Sequence, residues 1–162
     1  MLQSNRLFRG VPEDGLKPLL EELKTEIAQP GEWIMREGGV ADFMFLIVNG
    51  ELEVVSNGGG SSAEVRVALL GPSDWVGETA ILEPQAMRSA SVRALAPSIL
   101  VRLTSAHMRL IEDHHLSVYT QMVRNIALEL GRRLRVADRL IARTSAAMAK
   151  QYVLESMRPP KA

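Results

Sequence analysis

Cysteine is missing from all 162 residues, which excludes disulfide cross-links, thiolate metal sites and a thiol nucleophile, and suits a reducing compartment. Net charge is missing as well. Nineteen Lys and Arg balance 19 Asp and Glu, so no long-range field draws the whole chain to nucleic acid or anionic lipid. No apolar run approaches the length of a membrane span, and the opening MLQSNRLFRG has no apolar signal core. A cytoplasmic protein, not held by a membrane, is the expectation. Histidine is scarce, at three residues. His114 and His115 are adjacent in EDHH and point in different directions on a helix, and His107 is the only histidine besides them, so no metal is assigned. With no positioned general base either, an enzyme is not expected.

What is present is an apolar share of 46%, enough for one substantial core. The stretch PEDGLKPLLEELKTE places Leu16, Leu19, Leu20 and Leu23 at helical spacing behind an acidic first turn, with Pro18 required to sit in that turn. From about residue 26 to 104 the period shortens to β-like runs: IAQ, WIMRE, FMFLIVNG, ELEVVS, EVRVALL, SASVRAL and SILVRL. Many short, closely spaced strands predict a sandwich or a roll. Asn49-Gly50 signals a tight hairpin, and SNGGGSSAE an exposed flexible loop. A short helical piece near SAHMRLIEDHH precedes a long helix over about 117–143. Along that helix Tyr119, Met122, Val123, Ile126, Leu130, Leu134, Ala137 and Ile141 form one apolar stripe. The stripe can cover the β core, a second subunit, or both. Gly131 in its middle permits close approach of another backbone. Residues 1–143 are read as one domain and 144–162 as a short tail, partly helical or disordered.

One segment resists a purely structural reading. GETAILEPQAMRSASVRA, residues 77–94, commits Glu78 and Arg88 to apolar surroundings, where charged side chains are rarely buried without a partner. A short helix starting near Gly77 and Glu78 leaves its first N–H groups without intrahelical partners, and small residues let an anion approach them. Arg88, read as the start of a strand, can return across EPQAM to the same helix end, and its planar guanidinium suits two phosphate oxygens at once. Glu78 repels phosphate but accepts from a sugar hydroxyl. A ribose phosphate fits both.

The stretch resembles the phosphate-binding cassette of the cyclic nucleotide-binding domain family, and is especially similar to that of the bacterial catabolite activator group. The pattern of G-E, a small or apolar stretch, then R-S/T-A is met by Gly77, Glu78, Ala80, Arg88, Ser89 and Ala90. The resemblance implies an α+β, mostly β fold: an eight-stranded β-roll, or jelly roll, with an N-terminal helix and a long C-terminal helix. It also implies that Glu78 takes the ribose 2′-hydroxyl, Arg88 the cyclic phosphate and Ser89 a phosphate oxygen. The backbone N–H groups of Gly77, Glu78, Thr79 and Ala80 would hold the rest of the anion. On the long helix, Asp138 falls where the family contacts the base, and Val67, Leu69, Val76 and Leu82 can supply apolar walls. Either nucleotide remains open, cAMP being favoured over cGMP on Ser89 and on the resemblance. No other cofactor is implied.

In the family's transcription factors a winged helix-turn-helix follows the long helix, and the roughly twenty residues after Arg143 are too few to form one. A stand-alone sensor without direct DNA binding is therefore expected, acting through a protein effector or a homodimer joined by the long helix. The alternatives are a structural salt bridge between Glu78 and Arg88, and a ligand-independent interaction module with a degenerate pocket. Arg132, Arg135, Arg139 and Arg143 recur along one side of the long helix without interleaved aromatics, which reads as a solvated face. Trp33 and Trp75 read as packing residues.

Overall fold

The short alternating runs form eight antiparallel strands: β1 (Lys24–Ala28), β2 (Trp33–Met35), β3 (Phe43–Asn49), β4 (Leu52–Ser56), β5 (Val65–Leu70), β6 (Trp75–Val76), β7 (Ser91–Ala94) and β8 (Ser98–Thr104). They lie in two four-stranded sheets, ordered β1-β8-β3-β6 and β2-β7-β4-β5, as the roll requires. These coordinates come from a computed structural model that describes residues 5–57, 64–83 and 85–156. The last residues of the 144–162 tail, Pro84 and most of the SNGGGSSAE loop lie outside the described residues.

The inner faces of the two sheets meet over Met35, Phe45, Ile47, Leu52, Leu70, Val76, Val92, Ala94 and Leu100. Because side chains alternate along a strand, Met44 and Leu46 on β3 and Val101 and Leu103 on β8 point the other way. They are nonetheless fully buried, since α2 (Thr79–Leu82) and α3 (Ser105–His114) contact that face. Burial on both faces explains why β3 reads as an unbroken apolar run.

Asn49-Gly50 is not a hairpin. β3 pairs with β6 and β8, whereas β4 pairs with β5 and β7, so these two residues carry the chain round a corner from one sheet to the other. Gly50 has φ +99°, and a Cβ there would stand 2.1 Å from Ser98 Oγ. The backbone freedom that marks a hairpin in sequence serves a corner instead.

The N-terminal helix α1 spans Glu13–Glu22, which puts Pro18 in its interior and not in its first turn. Pro12, at φ −61°, precedes the helix, and Glu13 and Asp14 fill its acidic first turn. The helix tolerates the hydrogen bond lost at Pro18 because its other face is tightly packed. Leu16 and Leu19 are buried, and a Cβ on Gly15 would meet Val118 Cγ2 at 2.4 Å. Asn125, itself buried, donates to Leu7 O at 2.7 Å and Arg9 O at 2.9 Å, pinning the N-terminal turn.

α3 opens with a reciprocal cap. Thr104 Oγ1 accepts from the His107 N–H and His107 Nδ1 accepts from the Thr104 N–H, both at 3.2 Å. The final helix, α4, spans Leu116–Ser156, beyond the limit near 143 read from sequence. Ala146, Ala147 and Ala149 favour the helix there, and no proline intervenes. The chain divides into two compact units inside this helix, Met1–Asn125 and Ile126–Ala162. In the second, Glu129 is gripped by Arg132 Nε at 2.9 Å and Arg133 Nε at 3.2 Å. No helix among the described residues is long and apolar enough to cross a membrane.

Candidate functional site

The segment from Gly77 to Ala90 leaves β6, makes the one-turn helix α2, and returns to β7. Gly77 is held at φ +86°, where L-residues are strained. A Cβ at this position would lie 2.6 Å from Arg88 Nη1 and 2.8 Å from Met35 Cε, so glycine is demanded by both conformation and space. Glu83 O accepts from Ala86 N at 3.1 Å across a turn in which Gln85 has φ +69°.

The returning arm is clamped by the loop between β2 and β3. Gly38 N donates to Arg88 O at 2.9 Å, Arg88 N to Gly39 O at 2.7 Å and Ala41 N to Ala86 O at 2.8 Å. Arg88 therefore does not begin a strand: its backbone is tied to this loop, and β7 starts only at Ser91.

The Arg88 side chain turns inward and is 5% exposed. Its Nη2 donates to Phe43 O at 2.7 Å, its Nη1 to Gly77 O at 3.3 Å, and its guanidinium lies 4.5 Å from the centre of the Phe43 ring. Burial pushes its pKa below the ordinary arginine range; Asp42 opposes this, Arg102 reinforces it and Glu78 opposes it again. The side chain stays a cation all the same. Among the described residues it makes two hydrogen bonds, and a guanidinium has five N–H donors, so capacity is left for an anion.

Glu78, also buried, stands at the start of α2 within electrostatic reach of Arg88. Gly77, Glu78, Thr79, Ala80, Arg88, Ser89 and Ala90 thus belong to one compact loop of the first unit. Ser89 is exposed and Ala80 fully buried. The Ala80 N–H already donates to Gly77 O at 3.1 Å, so the donors facing an incoming anion would come from the residues before it. Asp138 belongs to the second unit, where it is exposed on α4. Of the four apolar wall residues, Val76 is buried in the core, whereas Val67, Leu69 and Leu82 are about half exposed. Trp75 is a core residue; Trp33 lies under Arg36 and Arg93.

Phe43, Met35 and the Gly38–Gly39 corner are the contributors that sequence reasoning missed. Phe43 lies 45 residues from Arg88 and acts through its carbonyl and ring face. Its only sequence signal is an apolar strand. No three His, Cys, Asp or Glu side chains among the described residues gather closely enough to hold a metal ion.

Residues 25–114 match the family model for the cyclic nucleotide-binding domain. The chain is 30% identical over 145 residues to a cAMP-dependent protein kinase regulatory subunit from Blastocladiella emersonii, covering 85% of this chain and 36% of that protein. It is 34% identical over 93 residues to a cGMP-dependent protein kinase from Eimeria tenella, covering 57% of this chain and 9% of that one. The chain thus spans well under half the length of these relatives. Among solved structures, the Thermus thermophilus catabolite activator protein superposes with a TM-score of 0.71 at 26% identity, over 86% of this chain and 63% of that one.

Proposed function

The chain belongs to the cyclic nucleotide-binding domain family, and from that premise we propose that it binds a cyclic mononucleotide as an allosteric signal. The observation that carries this reading is the inward Arg88 guanidinium, buried beside Gly77 and Glu78 with donors in reserve. Arg88 and Ser89 take the cyclic phosphate, helped by backbone N–H groups of Gly77, Glu78 and Thr79. Glu78 takes the ribose hydroxyl, while Ala80 and Ala90 keep the approach small.

Each hydrogen bond to a charged group is worth about 1.5–3 kcal/mol, so two or three support micromolar affinity after the cost of association. We favour cAMP over cGMP on Ser89; the relatives named above include a regulatory subunit of a cAMP-dependent protein kinase and a cGMP-dependent protein kinase. Binding shifts the cassette between two arrangements, in which a protein effector or a dimer partner meets a different surface. The dimer would form through α4, whose Leu134, Ile141 and Met148 are exposed at seven-residue spacing.

Titration calorimetry with cAMP and with cGMP tests the reading. Micromolar binding of one of them is expected; no heat with either at about millimolar concentration would refute it. Arg88→Lys should weaken binding by at least about tenfold, and unchanged affinity would remove the bidentate role. A ligand-independent interaction module draws support from one observation: Phe43 O and Gly77 O already satisfy part of the guanidinium. A protein that binds neither nucleotide yet captures the same partner would favour it.

A further inference from the structure

Away from the cassette, α1 and α3 enclose a groove of about 200 Å³ lined by Gly15, Pro18, Leu19, Glu22, His107, Leu110, Ile111, His114 and His115. Its floor is apolar: Leu19 and Ile111 are buried, while Leu110 is 49% exposed at the mouth. The volume is comparable to a cavity of about 150 Å³ that takes up benzene, which leaves room for one or two aliphatic side chains.

The charge around the groove is mainly acidic. Glu22 is its only formally charged lining residue. On the flanks, α1 carries Glu13, Asp14 and Glu21 against Lys17, and α3 carries Glu112 and Asp113 against Arg109; all are exposed. This local excess is hidden in the neutral total. Residues 1–125 hold 16 of the 19 acidic residues but 11 of the 19 basic ones.

We propose that the α1–α3 groove is the docking site for a cationic amphipathic helix of a partner protein. One aliphatic anchor would enter over Leu110 and Ile111, and Lys or Arg within a turn of it would face Glu22 and the flanking carboxylates. A basic segment is the occupant because the lining offers no Lys or Arg to repel it, whereas an acidic segment would face like charge from both helices. An apolar anchor is required because the floor has little to offer a polar side chain, and helices laid in apolar grooves are a recurrent mode of recognition. The groove gives the effector invoked above a chemical class, but its occupancy needs no nucleotide. It shares no residue with the cassette.

The test titrates a short fluorescein-labelled helix built of leucine and lysine into the full chain without nucleotide, read by fluorescence anisotropy, with a leucine–glutamate helix as control. Saturable binding of the basic helix alone is expected. Leu110→Asp and Glu22→Lys should each weaken it about tenfold or more, while Glu51→Lys, on an exposed turn outside the groove, should leave it unchanged. Circular dichroism checks that the variants are folded. Equal binding of both helices, wild-type affinity in both groove variants, or an equal loss with Glu51→Lys would overturn the proposal. Calorimetry with cAMP on the same groove variants should match the unsubstituted protein, so failure here is distinguishable from failure of the nucleotide reading.

Discussion

Arg88 and Gly77 are a single device seen from two sides: the guanidinium occupies the space that a side chain on residue 77 would need. Gly77→Ala is therefore expected to combine backbone strain at positive φ with displacement of Arg88. A loss of about 1–3 kcal/mol in unfolding free energy should accompany a loss of nucleotide affinity. Denaturant unfolding and calorimetry on the same variant check both halves, and weakened stability with intact binding would separate glycine from guanidinium. At this scale the sequence was informative wherever the partners are close along the chain. Glu78 and Arg88 lie ten positions apart, and their shared loop could be inferred from residue type alone. Phe43 O and the Gly39 corner were not legible, because backbone groups carry no residue signature and their proximity to Arg88 depends on how β3 and the β2–β3 loop are set.

At the scale of elements, α4 carries two different anchors. In the first unit, Asn125 satisfies the carbonyls of Leu7 and Arg9. Asn125→Leu leaves the buried Leu7 carbonyl without its amide donor, whereas Arg9 O keeps Gln121 Nε2 at 3.2 Å; the change should reduce stability by about 1–3 kcal/mol in a urea melt, and an unchanged midpoint would mean that water replaces the amide. In the second unit, hydrogen bonds from Arg132 hold the Glu129 carboxyl below its ordinary range, with burial opposing and Arg133 assisting. A depressed carboxyl contributes stability that is present above its unfolded value and is lost as pH falls through the folded one. Helicity of α4 should thus weaken on acidification below about pH 4, and Glu129→Gln should flatten that part of the circular dichroism profile. Pro18 shows the limits of local reading. Its rule placed it in a first turn, but packing of Gly15 against Val118 fixes the helix instead.

For the whole molecule, the exposed Leu134, Ile141 and Met148 on α4 are the residues through which the proposed dimer would form. Ile141→Asp should lower the mass measured by sedimentation from dimer to monomer at micromolar concentration if that seam is used, and an unchanged mass would exclude it. The sequence by itself determined the class of fold and the family, because strand periodicity, the glycines at forced turns and the cassette spacing are local properties of the chain. It also determined which charged residues had to meet a partner, since burying either without one is costly. Only the tertiary structure decided that Asn49-Gly50 turns between sheets, that Arg88 faces inward over Phe43, and that acidic α1 and α3 enclose a groove. Each of these depends on contacts between residues far apart in the chain, such as Phe43 and Arg88, and no local pattern encodes them.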